Sequence, residues 1–341
     1  MGGSTARRGR NVRDLVVAGS GIAGNAAAVY AARADLDPLV LAGPEPGGQL
    51  TLTTDVENYL GFPEGVGGME LVQRGREQAE RFGATYRGAT VERAHLDQRP
   101  FRLELDDGEE VFARSLVVAT GASARWVGAD NEDELMGYGL STCATCDGAF
   151  HRGHDVLVVG GGDSAMEEAT FLTKFADTVY VAHRREELRA SEIMRRRAEE
   201  NDDVRFLWNT ELVEIEGSRE EGVTGARLLR HPEGHPSERP DDPDTEAFSL
   251  DVSGIFYAVG HTPNTGFLRE TPIELDADGY VETRPGTTET AVEGVFAAGD
   301  VTDRRYQQAI TAAATGSMAA LDAEEWLESL ADERAVLSQR A

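Results

Sequence analysis

"DLVVAGSGIAGNAAAVYAARADLDPLVLAG", residues 14–43, decides the fold. Residues 15–18 are a short apolar strand, the glycines after them a turn, the alanine-rich stretch a helix, and residues 38–42 a second strand. Gly19, Gly21 and Gly24, with Ser20 between the first two, place GxGxxG at the strand-to-helix junction. There the unpaired N–H groups and the dipole of the helix can hold a pyrophosphate. A glycine run outside that setting would be no more than a packing turn. Past the second strand, Glu45 in "GPEPGGQL" (43–50) is placed to accept hydrogen bonds from a ribose diol. A carboxylate there repels a 2′-phosphate, so this half suits FAD or NAD.

Working outward, the same order returns 141 residues later in "DVLVVGGGDSAMEEATFLTKFADTVYVAHRREELRAS", residues 155–191. Gly160, Gly162 and Ala165 form GxGxxA, with Asp163 and Ser164 inside the turn. His183, Arg184, Arg185 and then Arg189 follow the second strand. Guanidinium groups at that point accept a 2′-phosphate, so this half selects NADPH over NADH. A basic surface turn is the plainer alternative, but three arginines and a histidine are unusual in so acidic a chain.

Two dinucleotide sites of different preference imply hydride transfer from a nicotinamide to a flavin. Further flavin-domain pieces lie around the second unit. "SLVVATGASA" (115–124) is a strand ending in a turn at Gly121, a crossing point between domains. "GVFAAGDV" (294–301) is a strand ending in Gly299-Asp300, and "YQQAITAAATGSMAALDAEEWL" (306–327) is a long helix. The expected architecture is α/β: a flavin domain in two parts, 1–125 and 255–341, split by an NADPH domain over 126–254. The proline- and charge-rich "HPEGHPSERPDDPDTEAF" (231–248) reads as a surface hairpin or loop without chemistry.

The 341 residues carry 61 acidic and 33 basic side chains, a net charge of −28, which argues against nucleic acid or an anionic membrane as partner. Among the basic residues only Lys174 is lysine. Carboxylates spread this widely repel one another in dilute buffer and are screened in molar salt, so a halophile with a salt-filled cytoplasm is the expected source. No apolar run is long enough for a membrane helix. Residues 15–18 are too short for the core of an export signal, so residues before the first strand read as a frayed arm and the protein as cytoplasmic.

Both cysteines, Cys143 and Cys146, fall in "STCATCDGAF", residues 141–150. With His151 and His154 they spell C-x2-C-x4-H-x2-H, but structural zinc sites need a longer loop between ligand pairs. A structural disulfide is improbable in a cytosol and would close too small a loop to stabilise much. A C-x-x-C pair interconverts between dithiol and disulfide with little rearrangement, which favours a redox role. It precedes the NADPH strand, so dithiol and nicotinamide share one domain and the flavin belongs to another. The two would take turns at the flavin by rotation of one domain against the other.

Together, "CATCDGAF", the first glycine turn, "GGQLTLTTDVENYLGFP", "ATGASAR", "HRREELRAS", "AVGHTPNT" and "GVFAAGDVTDRRYQQAITAAATGSMAALDAE" resemble the low-molecular-weight thioredoxin reductases of bacteria and archaea, over about residues 12–330. The resemblance implies two Rossmann-like domains of the pyridine nucleotide-disulfide oxidoreductase class II, bound FAD, NADPH as donor, thioredoxin as acceptor and a homodimer. It implies that Cys143 and Cys146 are the active pair, with Cys146 nearer the flavin, and that Asp147 is the general acid. It also brings Gln49, Asn58, Asp300 and residues 305–309, with Gln307, Gln308 and Ala309, to FAD. Asp163-Ser164 stands where Asn-Thr is frequent, and Arg305 precedes Tyr306 where other side chains occur. Rival readings are a relative serving a peroxidase, which usually has an added thioredoxin-like region before the first turn, and a flavin-bound redox sensor without turnover.

Overall fold

A computed structural model describes residues 12–340, with side chains as far as 331. The expected N-terminal arm lies outside the described residues. The opening stretch folds as β1 (Val12–Ala18), α1 (Ile22–Arg33) and β2 (Leu39–Leu41), the strands pairing in parallel. Then come α2 (Gly68–Arg81), β3 (Thr85–Arg87), β4 (Val91–His95), β5 (Phe101–Leu105), β6 (Glu110–Val118) and the connecting β7 (Ala122–Ala124).

The chain continues through α3 (Glu132–Leu135), β8 (Leu140–Ser141), α4 (Ala144–Asp147), β9 (Val156–Gly160), α5 (Asp163–Leu172) and β10 (Val179–His183). After α6 (Glu192–Glu199) and β11 (Val204–Trp208), the strands β12 (Thr210–Ser218), β13 (Gly222–Arg230) and β14 (Glu246–Asp251) form an antiparallel sheet. β15 (Gly254–Ala258) follows, and β16 (His261–Pro263) pairs with β7. β17 (Val295–Ala297) and α7 (Ala309–Arg340) close the chain.

Two compact units result. One contains residues 12–55, 59–123 and 262–340; the other contains 56–58 and 124–261. In the first, the sheet order is β3-β2-β1-β6-β5-β4. Along one edge of β6, β5 takes the first part, antiparallel, and β17 takes the last part, parallel. In the second, β11-β10-β9-β15-β8 is wholly parallel. The expected boundary at 254 falls at 261 instead, because β15 hydrogen-bonds β9 and β8 and sits inside the second sheet.

Both faces of the parallel part of each sheet are covered, which is why those strands read as unbroken apolar runs. On β1, Val16 and Ala18 enter one core with Leu103 and Leu116, while Leu15 and Val17 enter the other with Ala27, Val40 and Phe296. The alanines of α1 have a further reason. Ala23, Ala27 and Ala28 share a core with Ala319, Ala320 and Ala323 of α7, and a Cβ on Gly316 would come within 2.1 Å of the Ala23 carbonyl oxygen. Larger side chains would hold these helices apart.

Candidate active site

The first glycine turn is built by close approach. A Cβ on Gly24 would lie 2.0 Å from the Gly19 carbonyl oxygen, so only glycine lets α1 start this near the strand end. Gly19 itself has φ +109° and donates its N–H to Leu41 O at 2.8 Å. Gly21 forms the extended N-cap of α1 with no side-chain cap, leaving its first N–H groups available to an anion. Ser20, buried, ties the turn to the next one: its Oγ donates to Ala42 O (3.0 Å) and accepts from Gly47 N (3.1 Å). That second turn carries Glu45, exposed, whose carbonyl accepts from Gly48 N, and Gln49 in a 3-10 turn over Gly48–Leu52.

Gly299 reaches the same helix end. Its φ is +79°, a Cβ there would lie 2.8 Å from Ala23 Cβ, and its N–H donates to Thr315 Oγ1 at 2.9 Å. Beside it, Asp300 has a solvent-sealed Oδ1 with no hydrogen-bond partner. Burial, and secondarily the charge of Asp303, push its carboxyl up to about 7. A buried carboxyl oxygen without a partner, next to glycines cleared of side chains, fits a polar cofactor chain supplying the missing donor. The first unit therefore passes the test for FAD. Gln307, with φ +47°, and Gln308 precede α7, which begins at Ala309 rather than at residue 306 as the sequence suggested. Gly121 has φ +69° on the way from β6 to β7, and its carbonyl accepts from Asn264 N. Asn58 is exposed and groups with the second unit, apart from the other residues expected around FAD.

In the second unit Gly160 ends β9, where a Cβ would lie 2.5 Å from Ala258 O and 2.9 Å from Ala165 Cβ. Gly162 is the extended N-cap of α5, and Ser164 is exposed in the first turn. Asp163 Oδ1 accepts from Ser191 N at 2.5 Å, joining this turn to the end of the cationic segment. Arg189 N also donates to Gly161 O at 2.8 Å. His183 is buried at the end of β10, its Nε2 2.9 Å from Glu187 O, and burial, with the neighbouring arginines, holds its pKa down. It is thus a neutral spacer, while Arg184, Arg185 and Arg189 are exposed. Among the described residues none of these three guanidinium groups is in an ion pair with a carboxylate. In a chain with 61 acids that leaves a positive site for an external anion.

Cys143 and Cys146 form a disulfide, with Cα atoms 5.3 Å apart, at the start of α4. Cys143 N donates to Ser141 Oγ (3.0 Å), and Cys146 N and Asp147 N donate to Cys143 O (3.1 and 3.2 Å). Ala144, fully buried, enters one core with Ala165 and Ala169 of α5, so the disulfide turn and the nucleotide turn rest on the same apolar cluster. Both cysteines and Asp147 are partly exposed. Among the described residues no group of three or more His, Cys, Asp or Glu side chains is placed to hold a metal ion. His151 is instead buried, 2.9 Å from Ser253 Oγ and edge-on to Phe256.

Three participants escaped sequence reading. Gly161 is required because a Cβ would strike the His183 ring at 2.3 Å; its place as the middle glycine of the run 160–162 was its one signal. Gly47, φ +98°, clasps Ser20. Asp303 collects the N–H groups of Arg305, Tyr306 and Gln307 (2.8, 2.8 and 3.2 Å), shaping the turn before α7, and has no periodic signature.

Residues 13–316 match the family model described as pyridine nucleotide-disulphide oxidoreductase. The thioredoxin reductase of Mycolicibacterium smegmatis is 49% identical over 318 residues, 93% of this chain and 97% of that protein. The chain belongs to the pyridine nucleotide-disulphide oxidoreductases, among the thioredoxin reductases. A solved thioredoxin reductase from Giardia duodenalis superposes with a TM-score of 0.85 at 38% identity, covering 94% of this chain and 99% of that one. The bifunctional thioredoxin reductase/thioredoxin of Mycobacterium leprae is 47% identical over 95% of this chain and 68% of that protein. The reductase fold accounts for the mixed sheet of the first unit and the parallel sheet of the second, and its electron carriers are FAD and NADPH. The activity is NADPH-dependent reduction of thioredoxin disulfide.

Proposed function

We propose that each residue set has a separate task in that reaction. FAD belongs to the first unit, at Gly19, Ser20, Gly21, Gly24, Glu45, Gln49, Gly121, Gly299, Asp300 and Gln307–Ala309, with Asn58 added from residues 56–58. NADPH belongs to the second, with its pyrophosphate on the Gly160–Ala165 turn and its 2′-phosphate on Arg184, Arg185 and Arg189. FAD, when bound, supplies a two-electron relay between nicotinamide and disulfide. Asp147 gives and takes the proton at the Cys143–Cys146 pair. The overall balance is NADPH, one proton and a disulfide giving NADP+ and two thiols.

The observation that carries this reading is the Cys143–Cys146 disulfide packed on the core of the NADPH turn, in a chain whose other unit holds the flavin turn. Because dithiol and nicotinamide site share a unit, they serve one flavin alternately, by rotation of one unit against the other. The acceptor is a thioredoxin-like protein, and the fused thioredoxin of the M. leprae relative supports that choice. A homodimer fits the exposed apolar side chains Met69 of α2 and Ile310, Met318 and Leu321 of α7. A cytoplasmic location in a salt-rich cell fits the net charge of −28 and the lack, among the described residues, of a helix long and apolar enough to cross a membrane.

Steady-state oxidation of NADPH with oxidised thioredoxin tests the reading. One NADPH should disappear per pair of thiols formed. Turnover that consumes NADPH without forming thiols would overturn it.

A further inference from the structure

The loop from β13 to β14, which sequence reading left without chemistry, is folded onto the cationic turn. His235 N donates to Arg184 O at 3.0 Å, and Asn209 N donates to Arg185 O at 3.3 Å. Side chains meet as well: Arg185 Nε donates to His235 Nε2 at 3.3 Å. An imidazole that accepts at Nε2 is neutral and carries its proton on Nδ1. Glu238 Oε1 lies 3.6 Å from Nδ1, on the far side of the ring from Arg185.

The loop holds this position by its own contacts. Gly234, φ +73°, lies so close that a Cβ would be 2.7 Å from Arg184 O. Its carbonyl accepts from Arg239 Nη1 at 2.6 Å, and Thr245 Oγ1 donates to Arg239 O at 2.7 Å. His231 is buried beneath, with Nδ1 accepting from Glu233 N at 3.1 Å.

We propose that His235 is a positioning residue for the 2′-phosphate of NADPH, acting through Arg185. This rests on the reading that the arginine cluster receives that phosphate. With Nε engaged by His235, the four terminal N–H donors of Arg185 stay available for a phosphate. The long side chain is ordered before the ligand arrives, so less rotamer freedom is lost on binding. A carboxylate in place of the imidazole would hold the guanidinium more firmly but cancel its charge and compete with the phosphate. A neutral acceptor orients the cation without that cost.

The test uses the FAD-loaded enzyme and three variants. His235→Gly removes the imidazole and suits the left-handed backbone at this position, φ +48°. His235→Gln returns a neutral acceptor, and Arg185→Ala tests the underlying reading. Calorimetric titration with 2′,5′-ADP should show about three- to tenfold weaker binding for His235→Gly and at least half of that loss recovered by His235→Gln. The ratio of kcat/KM for NADPH to that for NADH should fall by a similar factor in His235→Gly. If Arg185→Ala weakens 2′,5′-ADP binding but His235→Gly does not, the role of His235 is disproved and the arginine reading stands. If Arg185→Ala also leaves binding unchanged, the arginine reading fails first. Equal losses with NADPH and NADH in His235→Gly would make the contact merely structural and overturn the proposal.

Discussion

Asp300 and Glu168 each keep a carboxyl oxygen sealed from solvent without a hydrogen-bond partner, yet the two differ in purpose. Asp300 stands at the expected flavin site, where a bound group can supply the missing donor. Its replacement by Asn should loosen FAD, seen as flavin lost from the protein on gel filtration. Glu168 lies in α5, one helical turn before the buried Leu172, and burial, with the charge of Glu167, raises its pKa to about 8. A raised folded-state pKa means the folded protein binds more protons than the unfolded chain between roughly pH 4.5 and 8. Stability should therefore fall as pH rises through that window and level off above it. Glu168→Gln should flatten this part of the profile and stabilise the protein at pH 9 by on the order of 1–3 kcal/mol, measured by denaturant unfolding. At this scale the sequence was legible where sterics demand one residue type, as at Gly19, Gly24 and Gly299. It was illegible at Asp303 and His235, whose partners come from turns that no periodicity specifies.

Elements follow the same division. The strand–turn–helix order was readable twice, because apolar runs covered on both faces alternate with glycine turns and alanine- or glutamate-bearing helices. The domain cut at 254 was not, since β15 reads as one more buried strand and only its pairing with β9 reveals which sheet it completes. The start of α7 was displaced by three residues because Asp303 and the left-handed Gln307 hold residues 305–308 in a turn. The account makes the start of α1 intolerant of even one methyl group. Gly24→Ala, whose Cβ would meet the Gly19 carbonyl oxygen at 2.0 Å, should yield protein depleted of FAD and less stable by about 1–3 kcal/mol. Flavin absorbance per chain and thermal unfolding report both effects. On the cationic turn, replacing Arg184 and Arg185 together should raise the KM for NADPH tenfold or more and change that for NADH far less.

Across the whole molecule, 61 carboxylates against 33 basic groups make charge repulsion a term that salt controls. The midpoint of thermal unfolding should rise steeply between about 0.05 M and 2 M potassium chloride, as screening shortens the reach of each charge. A flat response would remove the halophile reading without touching the chemistry. The proposed chemistry depends on a division of labour between the two units: nucleotide and dithiol on one, flavin on the other. The measurement that tests this most directly is rapid anaerobic mixing of NADPH with Cys143→Ser and Cys146→Ser variants, followed by addition of oxidised thioredoxin. Flavin absorbance should bleach in both variants as it does in the wild type, and neither should form thioredoxin thiols. Thiol formation at the wild-type rate by either variant would contradict the account.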